Sequence, residues 1–142
     1  MFQLLDQTDL NILKELTKNC RIKANHLAER VHLTAPAVAA RITRLEDAGI
    51  IKRYTIEVDT EKLGFERQIF IHAAVKNANQ RAGYNALIHQ YRNAIRHHYR
   101  VTGERPYLIE GAFHTRAELN DFLLALGQVA TYTVTDVIDE LI

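Results

Sequence analysis

Nine basic residues crowd the stretch from Asn11 to Arg53: Lys14, Lys18, Arg21, Lys23, Arg30, Arg41, Arg44, Lys52 and Arg53. Four acids stand among them, Glu15, Glu29, Glu46 and Asp47, which leaves a surplus of +5. Glu57, Asp59, Glu61 and Glu66 follow at once, and the whole chain of 142 residues carries a net charge of only +1. A basic block inside a near-neutral chain is the electrostatic footprint of a surface for a polyanion. Charge alone would favour a merely solvated face, so the placement of these side chains decides.

Other chemistry is poorly supported. The seven histidines are His26, His32, His72, His89, His97, His98 and His114. None forms the His-x-x-x-His spacing that puts two metal ligands on one helix face, and none joins a Cys/His cluster. His97 and His98 are adjacent on an expected strand and so point to opposite faces. They read as surface or sheet residues. Nucleophile elbow, phosphate loop and dinucleotide fingerprint are all missing from the sequence. No enzyme activity, catalytic residue, metal or cofactor is therefore expected. The single cysteine, Cys20, excludes an internal disulfide, suits a reducing cytoplasm and reads as a small buried or half-buried hydrophobe.

Composition, at 47% hydrophobic and 25% charged, is that of a soluble globular protein. No apolar run approaches the ~20 residues of a membrane span, and Met1 to Asp6 lacks the regions of a signal peptide. A cytoplasmic, nucleoid-associated location without a membrane partner is the expectation.

Three short helices must position the basic residues. Leu5 to Asn19 places Leu5, Ile12, Leu13 and Leu16 near one face, with Asp6 as N-cap. Lys23 to Val31 is a second helix with Leu27, Ala28 and Val31 inward. His32-Leu33-Thr34 is a tight connection. Thr34 then caps a third helix, Pro36 sits in its first turn and Gly49 stops it after Ala48. Ile50 to Val58 alternates like a strand.

The second half reads β-α-β-β-α-β, with strands over 68–76, 94–102, 107–113 and 131–141 and helices over 80–92 and 115–127. Thr115 with Glu118 has capping-box spacing. The fold class expected is α+β: an N-terminal winged-type helix-turn-helix over 1–58, a linker over 59–67, and a C-terminal ferredoxin-like domain over 68–142. Its first strand is apolar on both faces, with Ile69, Ile71, Ala73 and Val75 on one and Phe70 and Ala74 on the other. Helices cover only one face of such a sheet, so the other calls for a partner, and a homodimer is expected.

A helix-turn-helix lays its third helix in the major groove of double-stranded DNA. With Val38, Ile42 and Leu45 inward, helical steps set Pro36, Ala37, Ala40, Thr43 and Arg44 on the outer half and Arg41 on a flank. Arg41 and Arg44 are the expected contacts to phosphate or guanine. Thr34, with Ala35 in the first turn, can hold a phosphate at the helix N-terminus. Lys23 and Lys52 or Arg53 are expected at the DNA backbone. Pro36, Ala37 and Ala40 cannot hydrogen-bond through their side chains, so much of the specificity should come from DNA shape. A ligand-binding or scaffold protein using its helices only for protein contacts is disfavoured by the basic surplus and the two arginines.

The pattern Leu5-Asp6-x-x-Asp9-x-x-Ile12-Leu13-x-x-Leu16, then Asn19-x-Arg21, Leu27-Ala28 and Val31-x-Leu33-Thr34, resembles the Lrp/AsnC family. So does Val38-x-x-Arg41-Ile42-x-Arg44-Leu45-Glu46-x-x-Gly49-Ile50-Ile51, followed by Tyr54 and Leu63-Gly64. The second half matches through its element order and Val101-Thr102-Gly103. The resemblance implies a sequence-preferring transcription regulator of amino-acid metabolism or a related nutritional response. It implies dimers through the C-terminal domain, assembling to tetramers or octamers. It also implies an amino-acid effector near the turn after the second strand of that domain, here Gly103, Glu104, Arg105 and Pro106. This chain departs from the family there, with Pro106 where an aspartate is usual.

Overall fold

A reciprocal pair of aspartates closes the first turn of the N-terminal helix. Asp6 Oδ1 accepts from the Asp9 N–H at 2.8 Å, and Asp9 Oδ2 accepts from the Asp6 N–H at 3.2 Å. This capping box starts α1 (Gln7–Lys18), which is followed by α2 (Ala24–Val31) and α3 (Ala35–Asp47). The computed structural model describes residues 5–139 and Leu141, and it divides into two units, 1–57 and 58–142.

In the first unit, Ile12, Leu27, Ala28, Val31, Val38 and Leu45 form the core, with Leu5, Leu13, Leu16 and Ile42 packed on its edge. The turn from α2 to α3 is made by His32 in the left-handed region, at φ 57°. A side chain there costs roughly 1 kcal/mol against glycine. Thr34 then caps α3, its hydroxyl accepting from the Ala37 N–H at 3.4 Å. At the other end Gly49, at φ 67°, lets Ile50 N–H reach back to the Leu45 carbonyl at 2.9 Å.

The strand expected over Ile50–Val58 does not form. That segment carries no ladder, and Tyr54, Ile56 and Val58 are exposed. Alternation makes a segment fit for a strand, but a strand also needs a neighbour to pair its N–H and C=O groups.

The second unit runs β1 (Arg67–Ala74), α4 (Ala78–Gln90), β2 (Ile95–Arg100), β3 (Tyr107–Phe113), α5 (Arg116–Val129) and β4 (Thr131–Asp136). The sheet order is β2-β3-β1-β4 and every neighbouring pair is antiparallel, which is the ferredoxin-like arrangement. Element ends differ from the sequence reading for local reasons. Asn77 caps the Gln80 N–H at 2.9 Å, so α4 begins two residues early. The last strand stops at Asp136, not Leu141, because its partner runs out: Val137 N–H makes the final bond, to the Gln68 carbonyl. Ile69, Ile71 and Ala73 face a core that includes Tyr84, Phe113, Phe122 and Leu126. Phe70, His72 and Ala74 lie on the opposite face, beside Leu108 and Glu110 of β3. Among the described residues no helix is long and apolar enough to cross a membrane.

Candidate nucleic-acid interface

Arg41 and Arg44 are three residues apart on α3 and so emerge on one side of the helix. That side meets the first turn of α1. Arg41 Nη1 donates to Asp6 Oδ2 at 2.7 Å and to Asp9 Oδ1 at 2.8 Å. Arg44 Nη2 donates to Asp9 Oδ1 at 2.8 Å and Oδ2 at 2.7 Å. The Asp9 side chain is 1% exposed, against 26% for Arg41 and 45% for Arg44. The Asp6 carboxyl is held below its ordinary range, first by the Asp9 N–H and then by the Arg41 guanidinium. Arg41 is in turn pushed up by Asp6 and then Asp9.

Helical spacing put Arg44 on the outer half and Arg41 on a flank, with nothing holding either. The structure places both around a buried carboxylate. Each uses one terminal nitrogen there, which leaves the Nε and the other terminal nitrogen of each outside these bonds.

The remaining expected contacts sit as follows. Lys23 is exposed and occupies the N-cap of α2 with no side-chain capping bond. Thr34 is exposed, and its hydroxyl oxygen already caps α3. Ala35 is half-buried and packs on the core. Pro36 and Ala40, four residues apart on one face, are exposed, and Ala37 is half-buried. Lys52 and Arg53 are exposed just after α3. Arg21, Lys23, His26 and Arg30, with Asn19, Ile22 and Glu29, line a shallow hollow of about 340 Å³. A larger groove of about 600 Å³ runs beside Leu13, Leu16, Cys20, Ile51 and Ile56. Two contacts tether its outer wall. Cys20, half-buried, donates from Sγ to the Thr55 carbonyl at 3.3 Å. The Tyr54 hydroxyl donates to Glu46 at 2.6 Å, which, with burial, pushes the tyrosine pKa up to about 12.

In the second unit the loop from Val101 to Pro106 is closed by the Val101 N–H on the Pro106 carbonyl at 2.8 Å. Gly103 takes φ 111°, a conformation closed to ordinary side chains. Glu104 is exposed, and Arg105 and Pro106 are half-buried. The Arg105 Nε is buried and has no hydrogen-bond partner among the described residues.

Residues 5–52 match the winged helix-turn-helix DNA-binding family. Over 135 residues, 95% of this chain and 98% of the relative, the chain is 40% identical to the HTH-type transcriptional regulator LrpA of Bacillus subtilis. This chain belongs to the Lrp/AsnC family of DNA-binding transcription regulators. LrpC of Bacillus subtilis is 37% identical over 134 residues, 94% of this chain and 91% of the relative. The solved structure of Bacillus subtilis LrpC matches with a TM-score of 0.89 at 32% identity, covering 98% of each chain. A Neisseria meningitidis transcriptional regulator, solved as its L-Met complex, matches with a TM-score of 0.88 at 28% identity, covering 97% of this chain and 92% of that one. As an Lrp/AsnC member the chain is a regulator and not an enzyme.

Sequence reasoning missed one residue of this regulator's N-terminal unit. Asp9 enters only as a motif position, although it joins both arginines of α3 to α1. An acid at the third helical position is ordinary for a capping box, so its second role carried no separate local signal.

Proposed function

We propose that this regulator reads operator DNA with α3, as a homodimer whose C-terminal units meet through the open sheet face. The observation that carries the DNA reading is the make-up of α3. Its outer face is small and apolar at Pro36 and Ala40 and is flanked by Arg41 and Arg44. Small side chains let the helix approach the groove wall, and two guanidiniums supply donors for phosphate or guanine. Thr34, Ala35 and Ala37 lie at the N-terminus of α3, and Lys23 and Arg53 extend the basic surface to the DNA backbone.

The dimer reading is supported by two unpartnered surfaces, the Phe70, His72 and Ala74 face of β1 and the strand-like segment Ile50–Val58. A two-fold dimer presents its recognition helices to half-sites about 34 Å apart, or a multiple of that. Dimers would assemble further to tetramers or octamers on the nucleoid. The effector is an amino acid held at Gly103, Glu104, Arg105 and Pro106. The L-Met complex of the Neisseria relative supports that choice. The genes controlled would then be those of amino-acid metabolism.

The test is a gel shift on the regulator's own promoter region across salt, with wild type beside Arg41→Ala plus Arg44→Ala and with a panel of amino acids. Salt-sensitive binding lost in the double variant, at a temperature where circular dichroism shows it folded, is expected, and an amino acid that shifts the midpoint identifies the effector. Equal binding by the double variant and wild type would remove α3 from the interface.

A further inference from the structure

We propose that Asp9 is a positioning residue for DNA recognition: its buried carboxylate fixes the guanidiniums of Arg41 and Arg44 before DNA arrives. This rests on the reading of α3 given above.

Asp9 sits in the capping box of α1, but capping does not explain its charge or its burial. A neutral acceptor at that position serves the Asp6 N–H equally well, whereas a buried carboxylate is unfavourable unless it is paired and hydrogen-bonded. Here every donor around it is accounted for: the Asp6 N–H at 3.2 Å, Arg41 Nη1 at 2.8 Å, and Arg44 Nη2 shared by both oxygens. Two of those three donor groups come from α3, from residues more than thirty positions away in sequence. The arrangement therefore serves α3.

Holding the two guanidiniums has an entropic and an electrostatic consequence. Arginine has many rotamers, and fixing it on folding means that less freedom is lost when DNA binds. The second concerns charge. Asp6 and Asp9 balance Arg41 and Arg44, so the cluster is neutral as a whole. It adds little to the long-range attraction that governs non-specific binding. What it adds is donors held in place, which act on sequence discrimination. Removing the Asp9 charge should thus weaken specific binding without weakening non-specific binding, whereas a loss of folded protein would lower both in proportion.

The experiment compares wild type, Asp9→Asn and Asp6→Asn on two probes. One is a duplex enriched by the wild-type chain from a randomised library, and the other is a random-sequence duplex of equal length. For Asp9→Asn the ratio of the two affinities should fall about tenfold, within the range of one arginine–guanine pair. Binding to the random duplex should be unchanged or tighter, with a salt slope steeper by about one. Asp6→Asn keeps the capping acceptor and the buried Asp9, and releases Arg41 from one partner. It should give a smaller fall of the same kind, and it carries the test if Asp9→Asn fails to fold. A folded variant with the wild-type ratio, or with both affinities lowered in proportion, overturns the proposal. If Arg41→Ala plus Arg44→Ala leaves both affinities unchanged, the reading of α3 itself fails and the proposal falls with it.

Discussion

One nitrogen of Arg44, Nη2, lies 2.8 Å from Asp9 Oδ1 and 2.7 Å from Asp9 Oδ2, so a single guanidinium closes over both oxygens of a buried carboxylate. Arg44→Ala leaves that carboxylate with Arg41 and the Asp6 N–H alone. Breaking a fully buried pair costs several kcal/mol. Arg44 is 45% exposed and Arg41 remains, so a loss of about 1–2 kcal/mol is expected. Arg44→Lys keeps the charge on a compact ammonium and should recover only part of it. Urea titration followed by helical circular dichroism reads this, and a wild-type midpoint for Arg44→Ala would contradict it. Any DNA-binding loss in an Arg44 variant must be read at a temperature where the variant remains folded.

Gly83 marks a close approach of α4 to α5. A Cβ added there would stand 2.7 Å from Val129 Cγ1, and Val129 is β-branched with little freedom to yield. Alanine would raise helix propensity by about 1 kcal/mol over glycine. The clash outweighs that gain, at about 1–3 kcal/mol for overpacking. Gly83→Ala should therefore lower the thermal midpoint, and Val129→Ala in the same chain should restore part of it. Equal midpoints for the single and double variants would show that the overlap is relieved elsewhere.

Local chemistry was the legible part of the sequence. Thr34 with Pro36 starts α3 and Gly49 ends it, because caps and stops act over three or four residues. The four-stranded order followed from alternation and turn residues. Long-range and partner-dependent features were not legible. Asp9 meets Arg41 and Arg44 across sequence separations of 32 and 35 residues. His32 takes a left-handed φ where glycine or asparagine is usual. Ile50–Val58 has the alternation of a strand but makes no ladder among the described residues. Even the capping box of α5 is displaced: Thr115 accepts from the Glu118 N–H at 3.1 Å, but Glu118 reaches back to the N–H of His114, at 3.0 Å.

The Tyr84 hydroxyl and His98 Nε2 lie 2.8 Å apart and join α4 to β2. His98 as a whole is exposed, but its Nε2 edge is desolvated against the buried Tyr84, and this lowers its pKa from the ordinary value of 6.5. Burial also pushes the Tyr84 pKa up, so that hydroxyl stays protonated. A histidine with a depressed folded pKa binds fewer protons folded than unfolded. Its contribution to stability is therefore complete above pH 6.5 and is lost as pH falls through the folded pKa. The wild-type unfolding midpoint should drop between about pH 7.5 and about pH 5. His98→Gln keeps an acceptor for Tyr84 and cannot titrate, so its drop should be smaller. The difference between the two isolates His98 from the other histidines. Parallel profiles would mean that His98 is protonated in the folded chain as readily as in the unfolded one.

Phe70 tests the open sheet face. It is half-buried, lies opposite the helices, and pairs in register with Glu110 on one side and Thr135 on the other. It is not part of the core formed by Ile69, Ile71, Phe113 and Phe122, so Phe70→Glu should leave the C-terminal unit folded. A buried unpaired carboxylate at a self-complementary interface is placed there twice by two-fold symmetry, which strongly disfavours the dimer. The variant should sediment as a monomer at micromolar concentration. Linking two half-site contacts raises affinity by roughly 100- to 10,000-fold, so its affinity for the enriched duplex should fall by at least about 100-fold. Its affinity for random DNA should fall much less. Ile56→Glu in the segment after α3 is the companion measurement, because that residue is 73% exposed. If Phe70→Glu sediments like wild type while Ile56→Glu does not, the copies meet through Ile50–Val58, and the alternation of that segment has its strand partner in the second chain.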